Sequence, residues 1–231
     1  MNTDIIVIMD ESGSMGNMGV EPIQAINSFI KEQQETIIDT GSTFTLWKFD
    51  TTVKNMIDDL PLKDVKEFTD YVPKGMTALY DAIGNAIKTK KTKTKIDNVI
   101  CVIVTDGIEN SSTEFTSADI MAMIKTMENN HNWKFIYLGA NQDVIAVGGN
   151  MGLNTNLCSV FDASPGGLLT ATRNISQSIS LYRTESMTAS AVLSISRNES
   201  PPKKQKPATI EDNPLIIPIS RNLRVNINVV S

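Results

Sequence analysis

Asp4-Ile5-Ile6-Val7-Ile8-Met9-Asp10-Glu11-Ser12-Gly13-Ser14 is the stretch on which the rest of the chain is organised. Its apolar run is short and unbroken, the pattern of a strand buried on both faces at the centre of a parallel sheet. The run ends on a carboxylate, with hydroxyls two and four residues later and Gly13 and Gly16 letting the backbone turn. Ligands of open α/β sheets bind beyond the carboxyl ends of the strands. Asp10, Ser12 and Ser14 would offer only oxygen atoms there, the donor type that hard divalent ions take. Taken alone, D-x-S-x-S also suits an ordinary loop whose Asp and Ser satisfy turn amides.

Outward from this stretch, strands and helices alternate. Pro22 suits a first helical turn, and Ile23, Ile26, Ile30 and Ile37, with Phe29, recur at helical spacing up to Gly41. Thr43 to Phe49 alternates as a strand; Asp50-Thr51-Thr52 turns it, and Val53 to Ile57 returns as an antiparallel edge. Pro61 and Pro73 bracket a polar connection with room for one helix. Leu79, Ala82, Ile83, Ala86 and Ile87 form the buried stripe of a second helix, whose basic end, Lys88 to Lys95, is expected to face solvent. Asn98 to Val104 is a second deeply apolar strand, closed by Thr105-Asp106-Gly107. Thr116 or Ser117 caps a helix bearing Ile120, Ile124 and Met127. Trp133 to Leu138 is a strand, and a short helix follows through Ala146, ending at Gly148-Gly149. Leu157 to Phe161 is a last strand. Pro165-Gly166-Gly167 precedes a helix with Leu168, Ile175, Ile179 and Tyr182 on one side. The fold class expected is α/β: a doubly wound, mostly parallel sheet with one antiparallel edge strand and helices on both faces.

Composition narrows the function. The chain has 231 residues, enough for one sizeable domain and an appendage, and a net charge of −5 with mixed signs, which favours neither nucleic acid nor an anionic membrane. No aromatic residue interleaves the lysines of 88–95, as a nucleic-acid stacking surface would require. No apolar stretch approaches the ~18 residues of a spanning helix, and strand pattern within three residues of Met1 leaves no room for a signal peptide. Cys101 and Cys158 are expected buried and reduced, and the chain cytoplasmic. His131, the one histidine, sits in an Asn-rich loop and is a poor base.

Two further blocks join the first: Gly75-Met76-Thr77-Ala78-Leu79-Tyr80-Asp81-Ala82-Ile83 and Val104-Thr105-Asp106-Gly107. In order and spacing the three blocks resemble the von Willebrand factor type A (VWA) domain with its metal-ion-dependent adhesion site, over roughly residues 3–182. The small stand-alone members of bacteria and phages are the nearest type. The resemblance implies a non-catalytic protein-binding module with a Rossmann-like fold. Ser12 and Ser14 would bind Mg2+ or Mn2+ directly, Thr77 directly or through water, and Asp10 and Asp106 directly or through water. Three neutral hydroxyls leave the ion short of negative charge, and a partner protein's Asp or Glu would complete it. Glu11 is expected to point away from the ion or towards solvent.

A phosphohydrolase with Asp10 as nucleophile is the enzymatic alternative. Haloacid-dehalogenase-like phosphatases carry a second Asp two residues after theirs, where this chain has Ser12, and no G-x-x-x-x-G-K-[ST] loop occurs. The domain is expected to span 1–184. Residues 185–231 read as a Pro-rich linker and extended arm: Pro201, Pro202, Pro207, Pro214 and Pro218 exclude helix, and Val225, Ile227 and Val229 alternate as a strand. That strand would pair with the edge near Val53 to Ile57 or with a neighbouring subunit, so a second alternative is an assembly component of a phage or other particle, located in the virion.

Overall fold

The computed structural model describes residues 3–36, 41–91 and 98–184. Ile37, Lys93 and Lys95 of the basic run, and the whole 185–231 arm lie outside the described residues. So do the readings made of them, including the strand pairing of the arm.

Six strands form one sheet: β1 (Asp4–Asp10), β2 (Thr43–Phe49), β3 (Val53–Pro61), β4 (Val99–Thr105), β5 (Trp133–Gly139) and β6 (Cys158–Val160). Their spatial order is β3-β2-β1-β4-β5-β6, and all neighbours are parallel except β2 and β3. The expected fold class is the one observed. The helices are α1 (Glu21–Glu35), α2 (Leu79–Lys91), α3 (Ser117–Asn130), α4 (Val144–Asn150) and α5 (Gly167–Arg183).

β1 is buried on both faces, and period-2 alternation divides it between two cores. Ile5, Val7 and Met9 pack with Phe29 of α1 and Ile175 of α5, whereas Ile6 and Ile8 pack with Ile83 of α2 and Ile124 of α3. The last strand residue, Asp10, therefore emerges at the rim without leaving a gap in either core. Because the chain runs from β1 to β2 on one side and later to β4 on the other, the order of strands reverses between β1 and β4. In doubly wound sheets that reversal opens the crevice where ligands bind.

Several local readings are sharpened by packing. The return strand β3 runs on to Pro61, four residues past Ile57, with irregular register against β2 and Asp59 at φ 56°. Such irregularity twists an edge away from unwanted pairing. The connection between Pro61 and Pro73 holds only a 3-10 turn, Leu62–Asp64, and then runs without helix or strand to Ala78, tacked down by Val65, Phe68 and Tyr71. Thr116 is the cap of α3, in a capping box with Asp119. The helix α4 continues through Gly148-Gly149 to Asn150 instead of ending there. Cys101 and Cys158 are buried and unpaired, as expected.

One expectation is overturned. Lys88 at the end of α2 faces solvent beside Glu114, but Lys90 is buried, bonded to Asp59 and 3.2 Å from Asp4. Both acids stand at the opposite end of the sheet from Asp10, and only folding brings them to the lysine. No helix among the described residues is long and apolar enough to cross a membrane.

Candidate metal centre

The centre is built from three loops: the one that leaves the carboxyl end of β1, the connection between β3 and α2, which crosses back to the same rim, and the one that leaves the carboxyl end of β4. The first, after β1, drops at once into a 3-10 turn, Gly13–Met18, whose buried Met15 and Met18 hold it onto the core. Asp10 is fully buried. Its Oδ1 accepts the Ser12 amide at 2.6 Å and its Oδ2 accepts the Thr105 hydroxyl of β4 at 2.6 Å. The Ser12 and Ser14 hydroxyls lie 3.2 Å apart, and Ser14 donates to Asp106 Oδ1 at 2.6 Å. Four of the sequence-derived residues are thus joined through one chain of short contacts.

Thr77 enters from the second loop. A Cβ added to Gly107 would stand 2.9 Å from Thr77 Oγ1 and 3.8 Å from Asp10 Oδ2, so both oxygens converge on a place left open by the missing side chain. Asn110 fixes Thr77 reciprocally: its amide donates to the Thr77 carbonyl at 3.0 Å, and its Oδ1 accepts the Thr77 amide at 2.8 Å. All five candidates, Asp10, Ser12, Ser14, Thr77 and Asp106, are therefore brought to one rim.

The electrostatics are those of buried, uncompensated acid. Burial pushes the Asp10 carboxyl up to about 6 from an ordinary 3.8, with a smaller push from the Asp106 charge; the bonds from Thr105 and Ser12 oppose the rise. Burial likewise raises Asp106, against the bond from Ser14. No lysine or arginine among the described residues bonds either carboxylate. Two acids and three hydroxyls converging with no cationic side chain bonded to them among the described residues make a donor set suited to a hard divalent ion. No cluster of three or more His, Cys, Asp or Glu suited to a metal occurs among the described residues, since hydroxyls make up the rest of this set.

Around the five stand positioning residues whose partners the sequence did not reveal. Glu11 does not face solvent. It is buried, and its Oε1 accepts Lys48 Nζ at 2.9 Å and the Val72 amide at 2.6 Å, tying the first loop to the second. Tyr71 donates its hydroxyl to the Asp10 carbonyl at 2.6 Å. Asp81 accepts the amides of Thr113, Glu114 and Phe115, and Glu109 those of Tyr80, Ser111 and Ser112, binding the third loop to the start of α2. An acid placed where it meets several amides of another loop is the only cue to such roles, and the partners are distant in sequence.

No protein-family model and no curated protein matches the sequence. Solved structures do. A von Willebrand factor type A structure from Catenulispora acidiphila is 19% identical at a TM-score of 0.56, over 76% of this chain and 42% of that one. Proximal thread matrix protein 1 from the mussel byssus is 15% identical at 0.61, over 78% and 45%, and a second structure of it has a zinc-occupied metal-ion-dependent adhesion site. The pilus adhesin SpaC from Lactobacillus rhamnosus GG is 13% identical at 0.63, over 78% and 30%. This chain spans less than half the length of each. At these identities the likeness shows the fold, and the fold is that of VWA domains.

Proposed function

We propose that residues 1–184 form a non-catalytic module that binds a partner protein through a divalent cation, Mg2+ or Mn2+, held by Asp10, Ser12, Ser14, Thr77 and Asp106. One observation carries the reading: two buried carboxylates and three hydroxyls converge at the β1/β4 reversal, and no lysine or arginine among the described residues bonds either acid. The zinc-occupied site in the byssus protein, on the same fold, supports it.

Each residue then has a task. Asp10 and Asp106 supply the negative charge, and the hydroxyls of Ser12, Ser14 and Thr77 supply neutral oxygens. Thr105 and the Ser12 amide orient the Asp10 carboxylate, and Asn110 orients Thr77. When bound, the ion would offer a coordination position to an anionic oxygen, and a partner's Asp or Glu is the side chain that fits. One feature supports a non-catalytic role: the position two residues on from Asp10 is Ser12, which cannot serve as the acid/base of a phosphohydrolase. The buried, unpaired cysteines suit a reducing cytoplasm.

Calorimetry on the full chain tests the proposal. One Mg2+ or Mn2+ site is expected, absent in Asp10→Ala and weakened in Thr77→Ala. Undiminished binding in Asp10→Ala would sink the assignment. Phosphate-ester turnover that depends on Asp10 would replace it with the enzyme.

A further inference from the structure

Eight large apolar side chains are prominently exposed among the described residues, and they are not scattered. Leu60 and Leu181 lie near the ends of β3 and α5, at the end of the sheet away from Asp10. Of the other six, Val20, Ile108 and Ile145 follow the carboxyl ends of β1, β4 and β5, Val160 ends β6, and Val72 and Met76 are brought to the same rim by the bonds of their amides to Glu11 and Thr51. Met76 immediately precedes Thr77, Ile108 comes two residues after Asp106, and the Val72 amide bonds Glu11 beside Asp10. Strands stand ~4.8 Å apart, so Val160 at the end of β6 is on the order of 10 Å from β4. An apolar surface gathered at one end of a molecule marks an interaction face.

Charge indicates what this face receives. The loop acids are turned inward: Glu11 onto Lys48, Asp50 onto the Thr52 amide and hydroxyl, and Asp81 and Glu109 onto the backbone of the third loop. The exposed acids of this end stand farther along the chain from the five donors: Asp70, paired with Lys48; Glu114, paired with Lys88; Asp119 and Asp143, at the starts of α3 and α4; and Asp162, after β6. Beside Met76 the exposed charge is Lys74. A chain acidic overall therefore turns the acids nearest the five donors, Glu11, Asp50, Asp81 and Glu109, away from this face.

We infer that the occupant is a segment of another protein in which the acidic side chain is flanked by apolar residues, those neighbours lying on Met76, Ile108 and Val72. This rests on the metal-dependent reading above and adds the chemistry that selects among acidic partners. The test uses the full chain, loaded with Mg2+, and three immobilised synthetic peptide pools. Each has a fixed central Glu, flanked by Leu and Phe, by Ser and Gly, or by Lys. The apolar-flanked pool should be retained best, and a Met76→Ser/Ile108→Ser double variant should bind it about tenfold or more weakly. Mn2+ affinity in that variant should be unchanged, and Leu60→Ser/Leu181→Ser, at the far end, should bind like the unmodified protein. Retention indifferent to the flanks or to the double variant overturns this inference and leaves the metal reading standing. Failure of the unmodified protein to bind Mn2+, or to retain any pool when loaded, overturns both. A Mg2+-dependent dimer that the double variant abolishes would make a second copy the occupant and overturn the choice of a foreign partner.

Discussion

The hydroxyl of Ser14 donates to Asp106 Oδ1 across 2.6 Å, although 92 positions separate the two residues in the chain. The contact exists because β1 and β4 are neighbours in the sheet, Met9 standing beside Val104, so that both chains leave the sheet at the same rim. A parallel pair of strands cannot be joined by a tight turn. Bringing the two loops together therefore requires everything between them to fold correctly.

Asp10 makes metal-free stability depend on pH. Its carboxyl is raised to about 6 in the folded state, above the ordinary 3.8, so the folded protein holds a proton that the unfolded chain releases. The stabilisation is fully present below about pH 4 and is lost as pH rises through 6, a change of roughly 3 kcal/mol. Urea unfolding in chelator should show Asp10→Asn gaining on the unmodified protein by about this amount between pH 4 and 7.5. Mg2+ should stabilise the unmodified protein above pH 6 and have little effect at pH 4. Parallel pH profiles for the two proteins would contradict the burial argument.

Glu11 and Lys48 form a pair in which both side chains are about 95% buried or more. Removing one partner of such a pair leaves an uncompensated charge, at a cost of about 3–5 kcal/mol, while replacing both is often close to neutral. Lys48→Met should therefore be strongly destabilising, and Glu11→Gln/Lys48→Met should recover most of the loss, because Gln keeps an acceptor for the Val72 amide. A double variant as unstable as Lys48→Met alone would show that the lysine acts by packing rather than by charge.

Gly107 leaves the space on which Thr77 and Asp10 converge. A Cβ there would stand 2.9 Å from Thr77 Oγ1, a contact the side chain can relieve only by swinging its hydroxyl aside. Gly107→Ala should stay folded, within about 1 kcal/mol, because no backbone atom is displaced. Its Mn2+ affinity should nevertheless fall roughly ten- to a hundredfold, the usual cost of disturbing what orients a ligand. Unchanged affinity would remove Thr77 from the coordination sphere.

The elements and the candidate donors were legible in the sequence because both are local signals. Ile5 to Met9 announces a buried strand without reference to anything else, Thr116 or Ser117 marks the start of a helix, and the Leu79, Ala82, Ile83, Ala86 stripe is helix by its spacing. Asp10, Ser12, Ser14, Thr77 and Asp106 stand in short motifs beside those elements, and it was the resemblance of the three blocks, in order and spacing, to the VWA domain that named them together. What supports them is of another kind. Glu11 meets Lys48, Asp81 meets the amides of 113–115, and Lys90 is drawn inward to Asp4 and Asp59. No periodicity encodes these contacts, since each depends on which strand lies beside which. The chain by itself determined the strands, helices and oxygen-bearing loop ends. Only the tertiary structure decided which acids meet a lysine or backbone amides and which, at Asp10 and Asp106, are buried without a cationic partner among the described residues, because a charge's environment is set by neighbours that the backbone brings together from far apart.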